Sequence, residues 1–280
     1  MSSLCVTGYG SLDYAVTLDG FAEGNRTTLV SRRDPAAWPR CGGCPAYVAH
    51  AVVATVAPTV ISWMGDNTEG RLYCDGLRSA GIDVSGVALL ETPGSPTALL
   101  VYQADGSCAC LYDPAFDGRE RLTAAQAERI AAASHLCVSV GPPHLMRPIV
   151  DARAPGARLY WLAKNDPAAF TPENRRLLSV RADVIFCNSA ELALVDRDLS
   201  RATIIETRGR DGVVVHAGGA ETAVPVEPVA AGDTTGAGDT FAGAYIAAEM
   251  DGIVDPVQAA ERASEAARAF LLNRASEEQS

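Results

Sequence analysis

The chain has 280 residues, of which 48% are hydrophobic and 20% are charged, so it can bury a large core and lies near the upper size of one domain. Its 34 acidic and 23 basic residues give a formal net charge of −11. The resulting field repels polyanions and argues against a nucleic-acid partner. An anionic small ligand would have to be held by backbone amides and a few well-placed cations.

The beginning of the chain has no basic region followed by a long apolar run, so we expect no signal peptide and a cytoplasmic protein. The most hydrophobic stretch, residues 44–61, is interrupted by His50 and Pro58. It therefore predicts a buried Ala-rich helix followed by a strand, and we expect no membrane association.

Eight cysteines in a chain without a secretory signal favour free thiols over disulfides. Cys41 and Cys44 form a C-x-x-C pair, which Cys108 and Cys110 could complete to a zinc tetrad. The irregular second spacing favours free thiols here as well.

Short β-branched runs alternate with Ala-rich helical segments, which predicts an α/β fold with a mostly parallel sheet flanked by helices. The predicted strands are residues 4–8, 59–64, 84–90, 136–140, 159–163, 184–187 and 202–207. Predicted helices cover residues 68–80, 124–133 and 172–180, with Asp66 and Thr171 as N-caps. A hairpin over 213–226 and two helices over 238–250 and 256–273 complete the expected single domain, residues 1–280.

Two stretches, approximately residues 14–33 and 97–113, interrupt this alternation and read as antiparallel hairpins. A small sheet that projects from an α/β body can close over a ligand and exclude water, so we interpret the two hairpins jointly as a lid. Two ordinary surface hairpins would give the same pattern.

Residues 233–245 carry the clearest chemical signal. Three small residues, Gly236, Ala237 and Gly238, run directly into an Ala-rich helix and leave unobstructed backbone N–H groups that can bind an anion. Asp239 follows in the first helical turn, where it can accept the proton of an attacking hydroxyl while the amides stabilise a transferred phosphoryl group. A tight loop with a helix-capping Asp is the structural alternative.

Residues 233–245 resemble the C-terminal signature of the ribokinase-like (PfkB) family of carbohydrate and nucleoside kinases. Further segments resemble that family's motifs in the same order: residues 8–13, 42–43, 65–70, 188–191 and 207–213. The resemblance spans most of the chain and implies a kinase with ATP and Mg²⁺ as cofactors and a β lid. It also implies a homodimer joined through the lids, and it leaves a monovalent cation open.

On the acceptor side, the resemblance implies that Asp13 binds substrate hydroxyls while Gly42 and Gly43 let the backbone approach the substrate. A strand-end turn would explain each of these alone. Tyr47 departs from the family, in which many members have Asn at this position. An aromatic ring here can stack on a sugar or a base, or fill a smaller pocket.

On the nucleotide side, the resemblance implies that Asn188 and Glu191 organise Mg²⁺ and phosphate, largely through water. An N-cap Asn followed by a capping-box Glu is the structural alternative. Lys164, the only lysine, follows a predicted strand and is a candidate phosphate contact or a solvated loop residue. The other candidate nucleotide contacts are Thr207, Gly209 and Thr235. The family's closing Gly-Ala is absent after Asn273, so adenine contacts are not assigned.

The sequence therefore predicts an ATP-dependent kinase in which Asp239 deprotonates a primary hydroxyl of a sugar. A nucleoside kinase is the close alternative, and a non-catalytic sugar or nucleotide sensor of the same fold is the third. No Gly-Lys-Ser/Thr P-loop is present. A dinucleotide site at Gly8 and Gly10 is disfavoured because Asp13 would repel a pyrophosphate.

Overall fold

The computed structural model describes residues 3–33, 38–92, 94–116, 118–231 and 233–278, and two β-sheets lie within these ranges. The larger sheet has the spatial order β14 (Ala220–Val224), β13 (Val213–Ala217), β12 (Thr203–Thr207), β11 (Val184–Asn188), β10 (Arg158–Leu162), β9 (His135–Val138), β1 (Leu4–Thr7), β5 (Thr59–Gly65) and β6 (Asp83–Leu90). The strands from β12 to β6 are parallel, and β13 and β14 continue the sheet antiparallel. The predicted mostly parallel α/β sheet is confirmed.

Helices cover both faces of this sheet. They are α1 (Cys44–Val52), α2 (Thr68–Ser79), α3 (Ala124–Ala132), α4 (Met146–Ala152), α5 (Pro172–Arg181), α6 (Ala237–Met250) and α7 (Pro256–Glu278). One core packs α1, α6 and α7 against one face, and a second core packs α3, α4 and α5 against the other. Across the described residues, no helix is both long and apolar enough to cross a membrane.

The strands of the large sheet supply both cores at once. In β11, Val184 and Phe186 belong to the core of α1, α6 and α7, while Ile185 and Cys187 belong to the opposite core. This alternation is the period of two that a strand imposes on its side chains. Continuous apolar runs are therefore expected in strands that are buried on both faces.

The smaller sheet contains β2 (Ser11–Leu18), β3 (Val30–Arg33), β4 (Arg40–Gly42), β7 (Thr97–Tyr102) and β8 (Cys108–Asp113). The pairs β2–β3 and β7–β8 are antiparallel, and a parallel β2–β7 pair joins them. Both predicted hairpins are thus present in one sheet. β2 begins at Ser11, before the expected start at residue 14, so Asp13 lies in this sheet and not at the end of the first strand.

Two local expectations are corrected. The N-cap of α2 is Asn67 and not Asp66, because Gly70 N–H donates to Asn67 Oδ1 at 2.9 Å while Asp66 pairs with Arg71 at the surface. Helix α7 continues past its predicted end at Asn273, since no Gly or Pro follows to stop it.

The strand order of the large sheet reverses at β1, whose neighbours are β5 and β9. Ligands of open α/β sheets bind beyond the carboxyl ends of the strands near such a switch point. The carboxyl ends of three successive parallel strands, β10, β11 and β12, bring Lys164, Asn188 and Thr207 to this edge. The start of α6 lies at the same edge.

Candidate active site

The loop before α6 leaves two amides of the first turn open. Gly238 N–H and Asp239 N–H have no hydrogen-bond partner among the described residues, whereas Ala237 N–H donates to Thr234 O at 3.1 Å. Gly236 is the N-cap with φ +85° and ψ −6°, a left-handed conformation that favours glycine, and it offers no side chain to cap the helix. A Cβ on Gly236 would lie 2.5 Å from Cδ1 of Tyr47, so glycine is also required sterically. Ala237 starts the helix, and Asp239 lies in its first turn with 7% of its surface exposed.

Lys164 contacts the carboxylate of Asp239 directly. Its Nζ lies 3.0 Å from Asp239 Oδ1, although this oxygen accepts no hydrogen bond of good geometry among the described residues. Burial lowers the pKa of Lys164, but the charge of Asp239 outweighs it and raises the pKa above its ordinary value. The ammonium also lies 3.9 Å from where a Cβ on Gly238 would be. It therefore sits at the N-terminus of α6.

Cys44, the first residue of α1, approaches the same carboxylate. Burial and the charge of Asp239 raise the pKa of its thiol to about 12, so it is neutral near pH 7. Sequence reasoning did not select Cys44 for the site, although its position directly after Gly43 was an available signal. All eight cysteines are free thiols, and the described residues contain no group of three or more His, Cys, Asp or Glu side chains arranged to hold a metal ion.

Asn188 and Glu191 are joined by reciprocal hydrogen bonds. Asn188 N–H donates to Glu191 Oε2 and Glu191 N–H donates to Asn188 Oδ1, both at 2.9 Å. Asn165 N–H donates to Glu191 Oε1 at 3.3 Å. This is the capping arrangement that the sequence left as an alternative, and it fixes the carboxylate beside Lys164. Each carboxylate oxygen keeps a further lone pair for a water or an ion.

A cavity of about 330 Å³ brings most of the predicted nucleotide-side residues together. Its wall includes Lys164, Asn188, Glu191, Thr207, Gly209, Gly236, Gly238 and Asp239. Thr235 is not part of this wall, since its hydroxyl contacts Tyr102 instead. Thr234, which sequence reasoning did not select, lines the cavity in its place.

A second cavity of about 320 Å³ adjoins the first. The two share Thr207, Gly209, Thr234 and Gly238. Its other walls are largely apolar and come from β13, the segment after β14, and helices α6 and α7: Val213, Val226, Val229, Phe241, Ala267 and Leu271. Sequence reasoning found none of these side chains because they converge only when α7 packs against the sheet.

Asp13 lies in β2 with 3% of its surface exposed. Its Oδ1 accepts a hydrogen bond from Ser11 Oγ at 2.6 Å, and its Oδ2 accepts one from Tyr47 Oη at 3.3 Å. Burial raises its pKa, an effect that the Ser11 bond and nearby Arg40 only partly offset. A Cβ on Gly42 would lie 2.0 Å from this carboxylate, and one on Gly43, at φ +79°, would lie 2.3 Å from Tyr9 O.

Tyr47 connects the two sides of the site. Its hydroxyl reaches Asp13, its ring lies against Gly236, and its ring centroid is 6.3 Å from that of Phe270 in an edge-on arrangement. Only 7% of Tyr47 is exposed. The side chain therefore fills the space between Asp13 and the loop before α6 and presents no free ring face.

Asp233 is the centre of an ionic cluster that sequence reasoning missed. Arg40 Nη1 lies 2.7 Å and Arg274 Nη1 2.5 Å from Asp233 Oδ2, while Tyr102 Oη donates to Asp233 Oδ1. Burial raises the pKa of Asp233, but the arginines and Tyr102 hold it below its usual value. The cluster joins the small sheet, the loop before α6 and the end of α7.

A family model described as pfkB family carbohydrate kinase matches residues 1–278. A protein of Halopiger xanaduensis named ATP-dependent ribose-1-phosphate kinase is 32% identical over 231 residues, which cover 76% of this chain and 75% of the relative. A nucleoside kinase of Methanothermobacter thermautotrophicus is 25% identical over 264 residues, 89% of this chain and 83% of the relative. The structure of Arabidopsis thaliana ribokinase complexed with ribose and ATP superposes with a TM-score of 0.81 at 19% identity, covering 97% of this chain and 93% of that one.

Proposed function

The chain belongs to the pfkB family of carbohydrate kinases, and we propose that it transfers the γ-phosphate of ATP to a primary hydroxyl of a sugar, with Asp239 as general base. One observation carries this proposal. Asp239 lies in the first turn of α6, beside Lys164 and the open amides of Gly238 and Asp239, at the wall of a cavity that also contains Asn188 and Glu191. A buried carboxylate beside an anion-binding helix N-terminus is suited to phosphoryl transfer.

The two adjoining cavities support a position for ATP. The apolar walls of the cavity between Val226, Phe241 and Leu271 suit a nucleobase, since a flat ring gains most from burial between such side chains. The phosphates would then extend past Thr207 and Gly209 to Lys164 and the start of α6, where a cation and backbone amides favour negative charge.

Asp239 accepts the proton of the acceptor hydroxyl as the acceptor oxygen bonds to the γ-phosphorus. The bond between that phosphorus and the bridging oxygen breaks, and ADP leaves with its electron pair. The amides of Gly238 and Asp239 and the ammonium of Lys164 stabilise the charge on the transferred group. Asp13 holds the acceptor hydroxyls, and Gly42 keeps the space beside its carboxylate open.

Asn188 and Glu191 fit a role in holding Mg²⁺ through water. Both oxygens of Glu191 are fixed by backbone N–H groups and retain lone pairs, and Mg²⁺ keeps several of its waters in nucleotide sites. The bound ion would neutralise charge on the β- and γ-phosphates. Measurement of ADP formation with and without potassium determines whether a monovalent cation also activates the enzyme.

The surroundings of Tyr47 favour a sugar over a nucleoside. This ring is buried, bonded to Asp13 and packed on Gly236 and Phe270, so it leaves no face on which a base could stack. The nucleoside kinase of M. thermautotrophicus, at 25% identity, keeps the nucleoside alternative in the test below.

We further propose that the chain is one domain whose smaller sheet closes over the acceptor, and that two chains pair through this lid. The whole of β8 is exposed, including 60% of Leu111 and 38% of Tyr112, and apolar side chains on an uncovered strand suit a protein contact. Eight free thiols suit a reducing compartment and support a cytoplasmic location.

The test is an acceptor panel. The purified protein is incubated with ATP, Mg²⁺ and one of ribose, ribose 1-phosphate or adenosine, and ADP formation is followed together with ³¹P NMR of the product. We expect acceptor-dependent ADP formation with a sugar acceptor. Binding of sugar or ATP without turnover on any acceptor would instead identify a sensor and overturn the kinase proposal.

A further inference from the structure

Arg40 lies across the small sheet from Asp13. Strands β2 and β4 are antiparallel, and Asp13 is the register partner of Arg40. Residues directly opposite each other in such a pair project from the same face. The guanidinium of Arg40 is therefore on the same side of the sheet as the carboxylate that is proposed to hold the acceptor.

Only part of the Arg40 guanidinium has a partner. Nη1 is paired with Asp233 Oδ2 at 2.7 Å, but Nε and Nη2 are buried and have no hydrogen-bond partner among the described residues. Nε and Nη2 form one edge of the guanidinium plane, and such an edge matches two oxygens of a phosphate. Buried donors without a partner destabilise a structure, so a bound anion would remove that cost.

A second arginine adds positive charge to the same place. Arg274 Nη1 contacts the same Asp233 oxygen at 2.5 Å, and its guanidinium lies 4.8 Å from the ring centroid of Phe270. Arg40 and Arg274 line one cavity of about 490 Å³ together with Tyr47, whose hydroxyl bonds to Asp13. One wall of the cavity thus carries two guanidinium groups that share the single charge of Asp233, and another carries Tyr47, the hydrogen-bond partner of Asp13.

We propose that the acceptor is a sugar that already carries one phosphate group, with its hydroxyls held by Asp13 and its phosphate held by Arg40. Arg274 supplies a second positive charge, which offsets the negative charge of Asp233 that both arginines contact. The inference rests on the proposed kinase function and names the substrate class of that site. Transfer follows the same bond changes at Asp239 and yields ADP and a sugar bisphosphate. The relative at 32% identity is named for a substrate of this chemistry.

The experiment compares ribose 1-phosphate with ribose as acceptors for the full chain with ATP and Mg²⁺. For the wild-type protein, kcat/KM for ribose 1-phosphate should exceed kcat/KM for ribose by about 100-fold. This is the discrimination expected from a charge-assisted bidentate contact. Arg40→Lys keeps the positive charge but loses the paired Nε and Nη2 donors, so it should lower this ratio of kcat/KM values to about 10. Arg40→Met should lower the ratio to about 1. Arg262→Met, at a surface pair with Asp251, is the matched control and should keep the wild-type ratio.

Two results would overturn the inference: a wild-type preference for ribose, or an equal loss of kcat/KM on both acceptors in Arg40→Met. Absence of ADP formation with every acceptor would instead reject the kinase function itself, so the two failures are distinguishable. If melting curves show that Arg40→Met is unfolded, inhibition of the wild-type kinase by inorganic phosphate tests whether the acceptor site binds a phosphate group. Phosphate must compete with ribose 1-phosphate and not with ATP, and any other inhibition pattern contradicts the proposal.

Discussion

The ammonium of Lys164 lies 3.0 Å from Oδ1 of Asp239. Lys164 is the only lysine in the chain, and it pairs with the proposed catalytic base at the start of α6. The distance is that of an ion pair, yet among the described residues Oδ1 accepts no hydrogen bond of good geometry, so its lone pairs are not committed to another donor. We infer that Lys164 orients the carboxylate of Asp239 until the phosphates of ATP compete for the ammonium.

Lys164→Met should lower kcat by about 100-fold and raise the KM for ATP, because a cation that stabilises both the phosphates and the base is lost. Lys164→Arg should recover part of the activity, since it retains the charge in a bulkier group. Steady-state kinetics that separate kcat from the KM of ATP and of the acceptor make the measurement. A purely structural lysine would lower the melting temperature while leaving the KM for ATP unchanged in the folded fraction.

The absence of other lysines provides an independent control for this prediction. An amine-selective acetylating reagent can modify only one side chain, that of Lys164, besides the N-terminal amine. ATP should slow acetylation of Lys164 but not of the N-terminus, as followed by mass spectrometry of peptides. Equal rates with and without ATP would contradict a phosphate contact by this lysine.

Asp239→Asn should lower kcat by about 10² to 10⁴-fold, the range for loss of a general base, with little change in the binding of ATP. The substitution is nearly isosteric, so the loop and α6 should retain their conformation. The matched control is Asp251→Asn, which changes the exposed residue that follows the other end of α6. Turnover by Asp239→Asn at the wild-type rate would remove Asp239 from the mechanism.

Local patterns in the sequence were sufficient for most of the elements and for the start of α6, but not for α4 or β4. The strand and helix periods, and the run of small residues before Asp239, are properties of neighbouring residues. The three-dimensional partners of these residues were not predictable in this way. Asp233 and Arg274 are 41 positions apart and meet only because α7 extends past its predicted end and packs near the loop.

The two threonines before Gly236 show a second limit. Sequence reasoning chose Thr235 for the nucleotide, but Thr234 lines both cavities that we propose for ATP while Thr235 contacts Tyr102. Which of two adjacent side chains faces a ligand depends on the dihedral angles of the loop, and composition does not fix these. The role of Lys164 was open for the same reason, since its partner belongs to a distant helix.

Tyr102→Phe tests the lid. Tyr102 ends β7, and its hydroxyl contacts both Asp233 and Thr235, so it links the small sheet to the loop before α6. Loss of a hydrogen bond to a charged group should raise the acceptor KM by about tenfold, with a smaller effect on kcat, because closure of the small sheet over the acceptor becomes less favourable.

Tyr14→Phe, in β2 of the same sheet, is the control. Faster amide hydrogen exchange in β7 and β8 should accompany the kinetic change, and unaltered exchange with an unaltered KM would contradict the link.

Glu206→Gln tests how an ionic cluster next to Thr207 contributes to stability as pH changes. Glu206 accepts hydrogen bonds from Arg208 and Ser189, and the Arg208 bond is the main cause that lowers its pKa from 4.5 to about 2. A carboxyl whose pKa is depressed on folding stabilises the native state fully above the unfolded pKa, and this contribution is lost as pH falls toward the folded pKa.

Glu206→Gln should therefore lower the melting temperature by about 5 °C at pH 7, and the difference in melting temperature from wild type should narrow between about pH 4.5 and pH 2. Glu128→Gln, at an exposed position of α3, should show no such gap. A gap for Glu206→Gln that stays constant over this range would show that the contribution does not come from the ionised carboxylate.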